Sequence, residues 1–391
     1  MKRKIDKKQR QTIIYICMHA RDLFNKLRWS DGIVCPYSGC KHIWHYKNGT
    51  YKCSHCGKRF SDTSNTIFHS TKVPLSYWIV CLYCLTMLKG CSSEEIASNL
   101  GITQKSAWYI CHKIRLALTQ NNIALTGDIM VDEVYLRGKW SSIIVPKKIE
   151  FMKKQGLYFP DDKELTWSKS NVQRAISEYK QPVFGMNDGN KIVLRAIPNR
   201  FDSTDLQRLI ELYGQDISHL ISDQSTLYIE IGQRGFNVIQ MNHSKREFRN
   251  GEFSSNRIEG TFSHLKRRYR AHYVRPDKKY MQLYLNEFVF RWNNRESDAL
   301  TRLATGVNLA VACGRVTRKT IDSYNWVSEF KPRKQKHYET IYDWMNRDWP
   351  GFASYLEING VRYNRKEFER LKALRDARLN IFNIDESEMP F

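Results

Sequence analysis

No stretch of this sequence reaches the roughly 18 uninterrupted apolar residues that a bilayer-spanning helix needs. The longest apolar segment, 77–88, reads as a core helix instead. The N-terminus, Met-Lys-Arg-Lys-Ile-Asp-Lys-Lys, is basic, but no long apolar run or cleavage pattern follows it, so no secretory signal is expected. Internal repeats and low-complexity tracts are missing, which excludes solenoids and biased disordered segments. The ten cysteines are not spaced as in a small disulfide scaffold: four form two tight pairs, and the rest lie mostly in apolar or helical text. That usage predicts a soluble, intracellular protein in a reducing compartment with one metal site. Acids are scarce as well. Lys and Arg number 63 against 40 Asp and Glu, a net charge of +23. Such an excess favours a polyanionic partner, because neutralising phosphates releases counterions.

What is present is ample for a large fold. The 391 residues suggest two to four domains, and the 41% apolar fraction can fill their cores. Residues 1–32 form an amphipathic helical segment, with Ile13, Ile14, Ile16, Leu23, Phe24 and Leu27 at roughly helical spacing. Paired cysteines among turn residues occupy 33–73. Residues 74–122 read as helices, the first starting at Pro74. From Gly127 the text turns to strands at 128–136, 181–186 and 191–197, the last two joined by the turn Asn187-Asp188-Gly189-Asn190. A helix at 202–213, strands at 220–223 and 238–241, and helices at 256–270 and 278–294 complete a domain over 127–295. The polar stretch 139–180 reads as a partly ordered insertion. Residues 331–337 make a basic linker within a C-terminal region, 296–391, expected to be helical.

Cys35 and Cys40, then Cys53 and Cys56, bracket twelve residues with Asn48-Gly49 at the tip of an aromatic hairpin. Two turns each presenting a pair of thiolates suit tetrahedral zinc, and with all four positions filled the zinc is structural. The first pair is the less regular, and His42 or His55 is an alternative ligand. Further on, Ser92-Ser93-Glu94-Glu95 opens a helix with a capping pattern. Leu100-Gly101-Ile102 makes a turn, and Thr103 caps a second helix carrying Lys105, Trp108 and Lys113. That is the layout of a helix-turn-helix, whose second helix reads DNA; an ordinary helical hairpin is the plainer alternative.

Three acids stand apart. Asp132 interrupts the β-run 129–136, Asp223 ends the run 219–223, and Glu259 opens an amphipathic helix. Carboxylates there are expensive to bury unless paired or metal-bound. Two strands and a helix converging on one point would offer hard oxygen ligands to Mg²⁺ or Mn²⁺, two ions in all, for in-line phosphoryl chemistry. Asn256 precedes Glu259 by one turn, Lys266 follows two turns on, and Arg267, Arg268 and Arg270 follow it. Between Arg257 and Lys279 there are eight Lys or Arg against two acids, and Tyr269, His272 and Tyr273 interleave aromatics suited to tracking a DNA strand. Taken singly, each acid also fits a cap, an ion pair or a strand end.

Together these residues resemble the zinc-ribbon insertion-sequence transposases of the DDE type, whose eukaryotic relatives are the Merlin transposons. The similar text includes the ribbon, 65–75, 131–135, Asn242-His243-Ser244-Lys245, Asn256-Arg257-Ile258-Glu259-Gly260, Leu265-Lys266-Arg267 and 284–293. The resemblance implies an RNase H-like α/β catalytic core behind the ribbon and helix-turn-helix, in a multidomain α+β chain. It implies double-stranded DNA as partner, hydrolysis at transposon ends, attack of the freed 3′-hydroxyl on target DNA, and at least a dimer for synapsis. Asp132, Asp223 and Glu259 would be the catalytic metal ligands, with His243, Asn256 and Lys266 in support. The family's third ligand is Glu or Asn; Glu259 is favoured here because it is charged and Lys266 then falls at the familiar offset. A cytoplasmic, DNA-associated protein is expected in a prokaryote, a nuclear one in a eukaryote. An inactive transposase-derived regulator and an RNase H-like nuclease or resolvase are the alternative functions.

Overall fold

The computed structural model describes residues 7–120, 122–136, 143–158, 163–241, 249–250, 253–254, 256–273, 276–330, 356–358, 361–363 and 369. The chain divides into two units, Met1–Phe330 and Lys331–Phe391. The first begins with helix α1 (Lys7–Arg28), whose Ile16, Ala20 and Phe24 are buried. A three-stranded antiparallel sheet follows, β1 (Ile43–His45), β2 (Thr50–Cys53) and β3 (Arg59–Ser61). The hairpin around Asn48-Gly49 lies where its turn chemistry puts it. The sheet is clamped to the end of α1: Trp29 Nε1 and Tyr51 Oη both donate to Asp62 Oδ1, at 3.2 and 2.8 Å.

Three helices come next: α2 (Leu75–Thr86), α3 (Ser93–Leu100) and α4 (Gln104–Ala117). Ser92 and Glu95 cap the start of α3 reciprocally, with Glu95 N to Ser92 Oγ at 3.1 Å and Ser92 N to Glu95 Oε2 at 2.9 Å. Gly101 ends α3 at φ +65°, a left-handed conformation that suits glycine, and the Thr103 side chain caps α4. α2 is buried almost all round.

The central sheet has five strands in the order β6-β5-β4-β7-β8: β4 (Leu125–Leu136), β5 (Gln181–Asn187), β6 (Ile192–Ala196), β7 (Gly214–Asp223) and β8 (Val238–Met241). β4, β5 and β6 pair antiparallel; β7 and β8 run parallel to β4. All of β5 and β6 is buried, so both faces of the sheet are covered. The 139–180 stretch lies between β4 and β5. Its described part holds α5 (Val145–Lys154), α6 (Lys163–Thr166) and α7 (Lys169–Tyr179) around a small core of Met152, Leu157 and Ala175. Its apolar residues come in short runs split by turns, too brief to show a period along the sequence.

α8 (Ser203–Tyr213) and α9 (Thr226–Gln233) connect the later strands, and a short hairpin of β9 (Arg249–Asn250) and β10 (Phe253–Ser254) precedes α10 (Asn256–Arg268). A π-helical turn, Tyr269–Tyr273, continues α10, and α11 (Met281–Asn293) lies along the outer edge of β6. There α11 replaces a missing strand. Gln282 accepts from Ala196 N (2.8 Å) and donates to Leu194 O (3.1 Å), while Asn293 accepts from Ile192 N (2.8 Å) and donates to Ile192 O (3.0 Å). An open sheet edge is thereby satisfied and closed to other chains.

α12 (Ala299–Ala312) and α13 (Arg318–Asp322) pack into the same core as α1, α2 and α4. The chain therefore divides after Phe330, not at the expected 296. In the second unit the described elements are strands, β11 (Leu356–Ile358) paired antiparallel with β12 (Val361–Tyr363), where helix was expected. No helix among the described residues is long and apolar enough to cross a membrane.

Candidate active site and metal ribbon

Asp132 and Asp223 lie on neighbouring parallel strands, β4 and β7. The parallel register pairs Met130 with Ile221, which carries Asp132 to the level of Asp223 on the next strand. Asp223 ends β7, and Ser225 turns the chain at once into α9. Asp132 Oδ1 accepts from Glu133 N at 2.7 Å. Asp223 Oδ1 is buried and has no hydrogen-bond partner among the described residues. A buried carboxylate oxygen left that way is costly unless a cation meets it.

Successive strand residues point to opposite faces and direct partners share one. Asp132 pairs with Gly185, and a Cβ on Gly185 would lie 2.6 Å from the Phe262 ring. α10 therefore covers the face from which Asp132 projects. Ile258, Thr261, Phe262 and Leu265 form its buried stripe. Thr261 accepts from Asn187 Nδ2 of β5 at 3.0 Å, so the opposite flank of α10 looks toward β4 and β7. At about 100° per residue, Glu259 and Lys266 lie about 20° apart on that flank, and Asn256 is turned about 60° further from the sheet. Glu259 is exposed, and the three carboxylates do not close into one ligand shell as the convergence argument expected. Among the described residues, the group with all ligand atoms within 4.8 Å of one another is a thiol trio, Cys35, Cys53 and Cys56. Like charges drawn closer disfavour each other's ionisation. His243 lies outside the described residues.

Glu133 follows Asp132 on β4. It projects to the other face, where Tyr228 Oη donates to its Oε1 at 2.6 Å. Burial, despite that hydrogen bond and aided by the neighbouring Asp132 and Asp223, pushes its carboxyl up to about 7.

The residues proposed for DNA reading separate. Lys105 is exposed on the first turn of α4. Trp108 is turned inward instead: its ring stacks on His112 at 3.8 Å and meets Tyr280 edge-on at 5.1 Å. Lys113 is half-buried with its ammonium 5.7 Å from the Trp78 ring centre. The second half of α4 is thus a packing surface, because α11 and α13 cover it. Arg267 and Arg270 are exposed and, with Ser263 and Lys266, line an open basic depression along α10. Arg268 is half-buried and donates to the carbonyl of Lys89.

Behind this surface lies a buried charge network that the sequence did not announce. Arg115 Nε of α4 donates to Glu287 Oε2 of α11 at 2.6 Å, and Arg291 pairs with the other oxygen. Tyr273 Oη also donates to Glu287, at 3.2 Å, and accepts from Arg291 Nη2 at 2.9 Å. The clue in the sequence was charge on otherwise apolar helix faces.

In the ribbon, Cys35 Sγ lies 3.6 Å from Cys56 Sγ. The Cys56 backbone N–H and the Ser38 hydroxyl, both directed at Cys53, pull its thiol down to about 6. Three converging thiols, one of them readily ionised, suit zinc. Cys40 is not among them. On the outer face, Trp44, Lys52 and Arg59 stand in one cross-strand row, all exposed, and the Arg59 guanidinium lies 5.0 Å from the Tyr46 ring centre. No acid occurs between Asp31 and Asp62.

Fold and site together point to a protein that works on nucleic acid, and comparison with known proteins gives the class. Residues 124–293 match the ISXO2-like transposase domain, and residues 18–59 match the transposase zinc-ribbon domain. The two matches show a zinc-ribbon insertion-sequence transposase of the DDE type. A curated relative, the uncharacterized protein in transposable element ISH50 of Halobacterium salinarum, is 22% identical over 280 residues, 70% of this chain and 89% of that protein.

Proposed function

We propose that the protein cuts DNA at transposon ends by divalent-metal-dependent hydrolysis and joins the freed 3′-hydroxyls to target DNA, with Asp132, Asp223 and Glu259 as catalytic residues. The observation that carries this is the pair Asp132 and Asp223 on adjacent parallel strands, one buried Asp223 oxygen lacking a partner among the described residues. The 3-2-1-4-5 pattern of the central sheet, three strands antiparallel and two parallel, supports the RNase H-like reading of the core. Two Mg²⁺ ions bound by these carboxylates would activate the attacking oxygen and stabilise the leaving one. Lys266 shares the Glu259 flank and sits where it can hold a phosphate beside the scissile bond. Arg267 and Arg270, with Lys105 at the tip of the proposed helix-turn-helix and the ribbon row Trp44-Lys52-Arg59, engage the DNA backbone. In the first step water attacks phosphorus and the 3′-oxygen leaves. In the second that 3′-hydroxyl attacks a target phosphodiester, so one bond forms as one breaks. Synapsis of two ends needs a dimer or larger assembly.

The test is purified protein with Mg²⁺ and duplexes carrying the inverted repeats that flank its gene. Asp132→Asn, Asp223→Asn and Glu259→Gln should each lower strand cleavage by about a thousandfold or more, the loss of a metal ligand in such a site, while end binding persists. Activity in Glu259→Gln together with its loss in Asn256→Ala would move the third ligand to Asn256. Binding with no nicking by the wild type would instead support the regulator, and cleavage without joining the nuclease.

A further inference from the structure

The two turns of the ribbon share one backbone hydrogen-bond pattern, and matching them residue by residue puts one cysteine two positions out of place. Cys35 N donates to Cys40 O at 2.9 Å and Gly39 N to Cys35 O at 2.9 Å; Cys53 N donates to Lys58 O at 3.1 Å and Gly57 N to Cys53 O at 3.1 Å. Gly39 and Gly57 are both left-handed, at φ +71° and +67°. Cys35 thus corresponds to Cys53, Gly39 to Gly57 and Cys40 to Lys58. The residue corresponding to the ligand position of Cys56 is Ser38. Its hydroxyl lies 3.4 Å from Cys53 Sγ, so it does face the thiol cluster. Cys40 does not: its Sγ accepts from the His42 backbone N–H at 3.3 Å and lies 3.9 Å from Ser54 Oγ. It is outside the group whose ligand atoms fall within 4.8 Å of one another.

We infer that the ribbon zinc is held by three thiolates, from Cys35, Cys53 and Cys56, with Cys40 a bystander and the fourth position, beside Ser38, left to water. Zinc held by three protein ligands keeps a water in its fourth position, whereas a structural site is normally closed by four. Ser38 is exposed, so solvent reaches that position. The consequence is a more exchangeable metal than a four-thiolate ribbon would hold. The inference rests on the ribbon binding zinc, not on the transposase chemistry.

The experiment uses the full-length protein loaded with Co²⁺, whose thiolate-to-metal charge-transfer absorption grows with the number of bound thiolates. Cys40→Ala should leave that absorption unchanged and metal affinity within about twofold, whereas Cys53→Ala should remove a thiolate band and weaken binding by about a hundredfold or more. Ser38→Cys should add a thiolate and tighten binding by about tenfold or more. Native alkylation should label Cys40 equally fast with and without zinc while Cys35, Cys53 and Cys56 are protected. Loss of a thiolate band in Cys40→Ala, or zinc-dependent protection of Cys40, would overturn the assignment. Failure of the wild type to bind either metal would instead remove the zinc reading beneath it.

Discussion

Glu287→Gln tests the buried network, because it removes the one negative charge between two guanidiniums. Arg115, Glu287 and Arg291 have side chains only 2%, 0% and 5% exposed. Burial alone would raise the Glu287 carboxyl, but Arg291 and Arg115 outweigh it and hold it below the usual carboxylate range. The glutamine variant keeps shape and some hydrogen bonds yet leaves Arg115 and Arg291 buried without a counter-charge. Breaking a buried pair this way costs about 3–5 kcal/mol, about a fifth or more of a typical domain's stability of about 5–15 kcal/mol. In urea, with a slope of about 3 kcal/mol per molar, the midpoint should fall by roughly 1–1.7 M. Arg115→Met should be milder, since Arg291 and Glu287 still neutralise each other. Replacing all three residues with apolar ones of similar volume should recover much of the loss. The network joins α4 to α11, so Glu287→Gln should also split one unfolding transition into two, read by circular dichroism and tryptophan fluorescence. A Glu287→Gln midpoint within about 0.2 M of wild type, or an Arg115→Met loss equal to it, would refute the charge-balance argument.

Acid should act through His112, which burial and the adjacent Arg115 charge push down to about 2. The unfolded chain binds this proton near pH 6.5 and the folded one does not, so stability falls as pH drops below 6.5. Between pH 6.5 and 5 the wild type should lose about 1.6 kcal/mol more than His112→Gln, and parallel slopes would count against it. Gly185→Ala should displace α10 by forcing a Cβ to within 2.6 Å of Phe262. A loss of about 1–3 kcal/mol is expected, recovered in Gly185→Ala with Phe262→Leu, and no recovery would mean the contact is not the cause. Chelation of zinc should unfold the ribbon core around Cys35, Cys53 and Phe60 but leave the central sheet's hydrogen-exchange protection intact. Affinity for end DNA should fall by about a thousandfold from 50 to 200 mM salt if some six phosphates are contacted; a flat response would refute phosphate contact by the basic surface.

Local chemistry was legible in the sequence wherever a residue's neighbours in the chain were also its partners in space. The Ser92–Glu95 capping box, the left-handed Gly101, the Asn48-Gly49 hairpin and the paired thiols of Cys53 and Cys56 are of this kind. The strands bearing Asp132 and Asp223 were legible too, as apolar runs broken by acids. Tertiary structure alone decided the rest. The parallel register of β4 on β7 pairs Met130 with Ile221, which are far apart in the sequence, and no local pattern encodes it. The stretch 139–180 looked featureless because its helices are stabilised by one another. Trp108 and Lys113 looked like DNA-facing side chains on an isolated helix, yet α11 and α13 cover that part of α4, so their rings and chains pack inward. Glu287 looked like one more charge on a helix and is instead the counter-ion of two arginines, one of them 172 positions away in the sequence. Periodicity and capping follow from covalent neighbours, whereas which charges end up buried together depends on which surfaces the folded chain brings into contact.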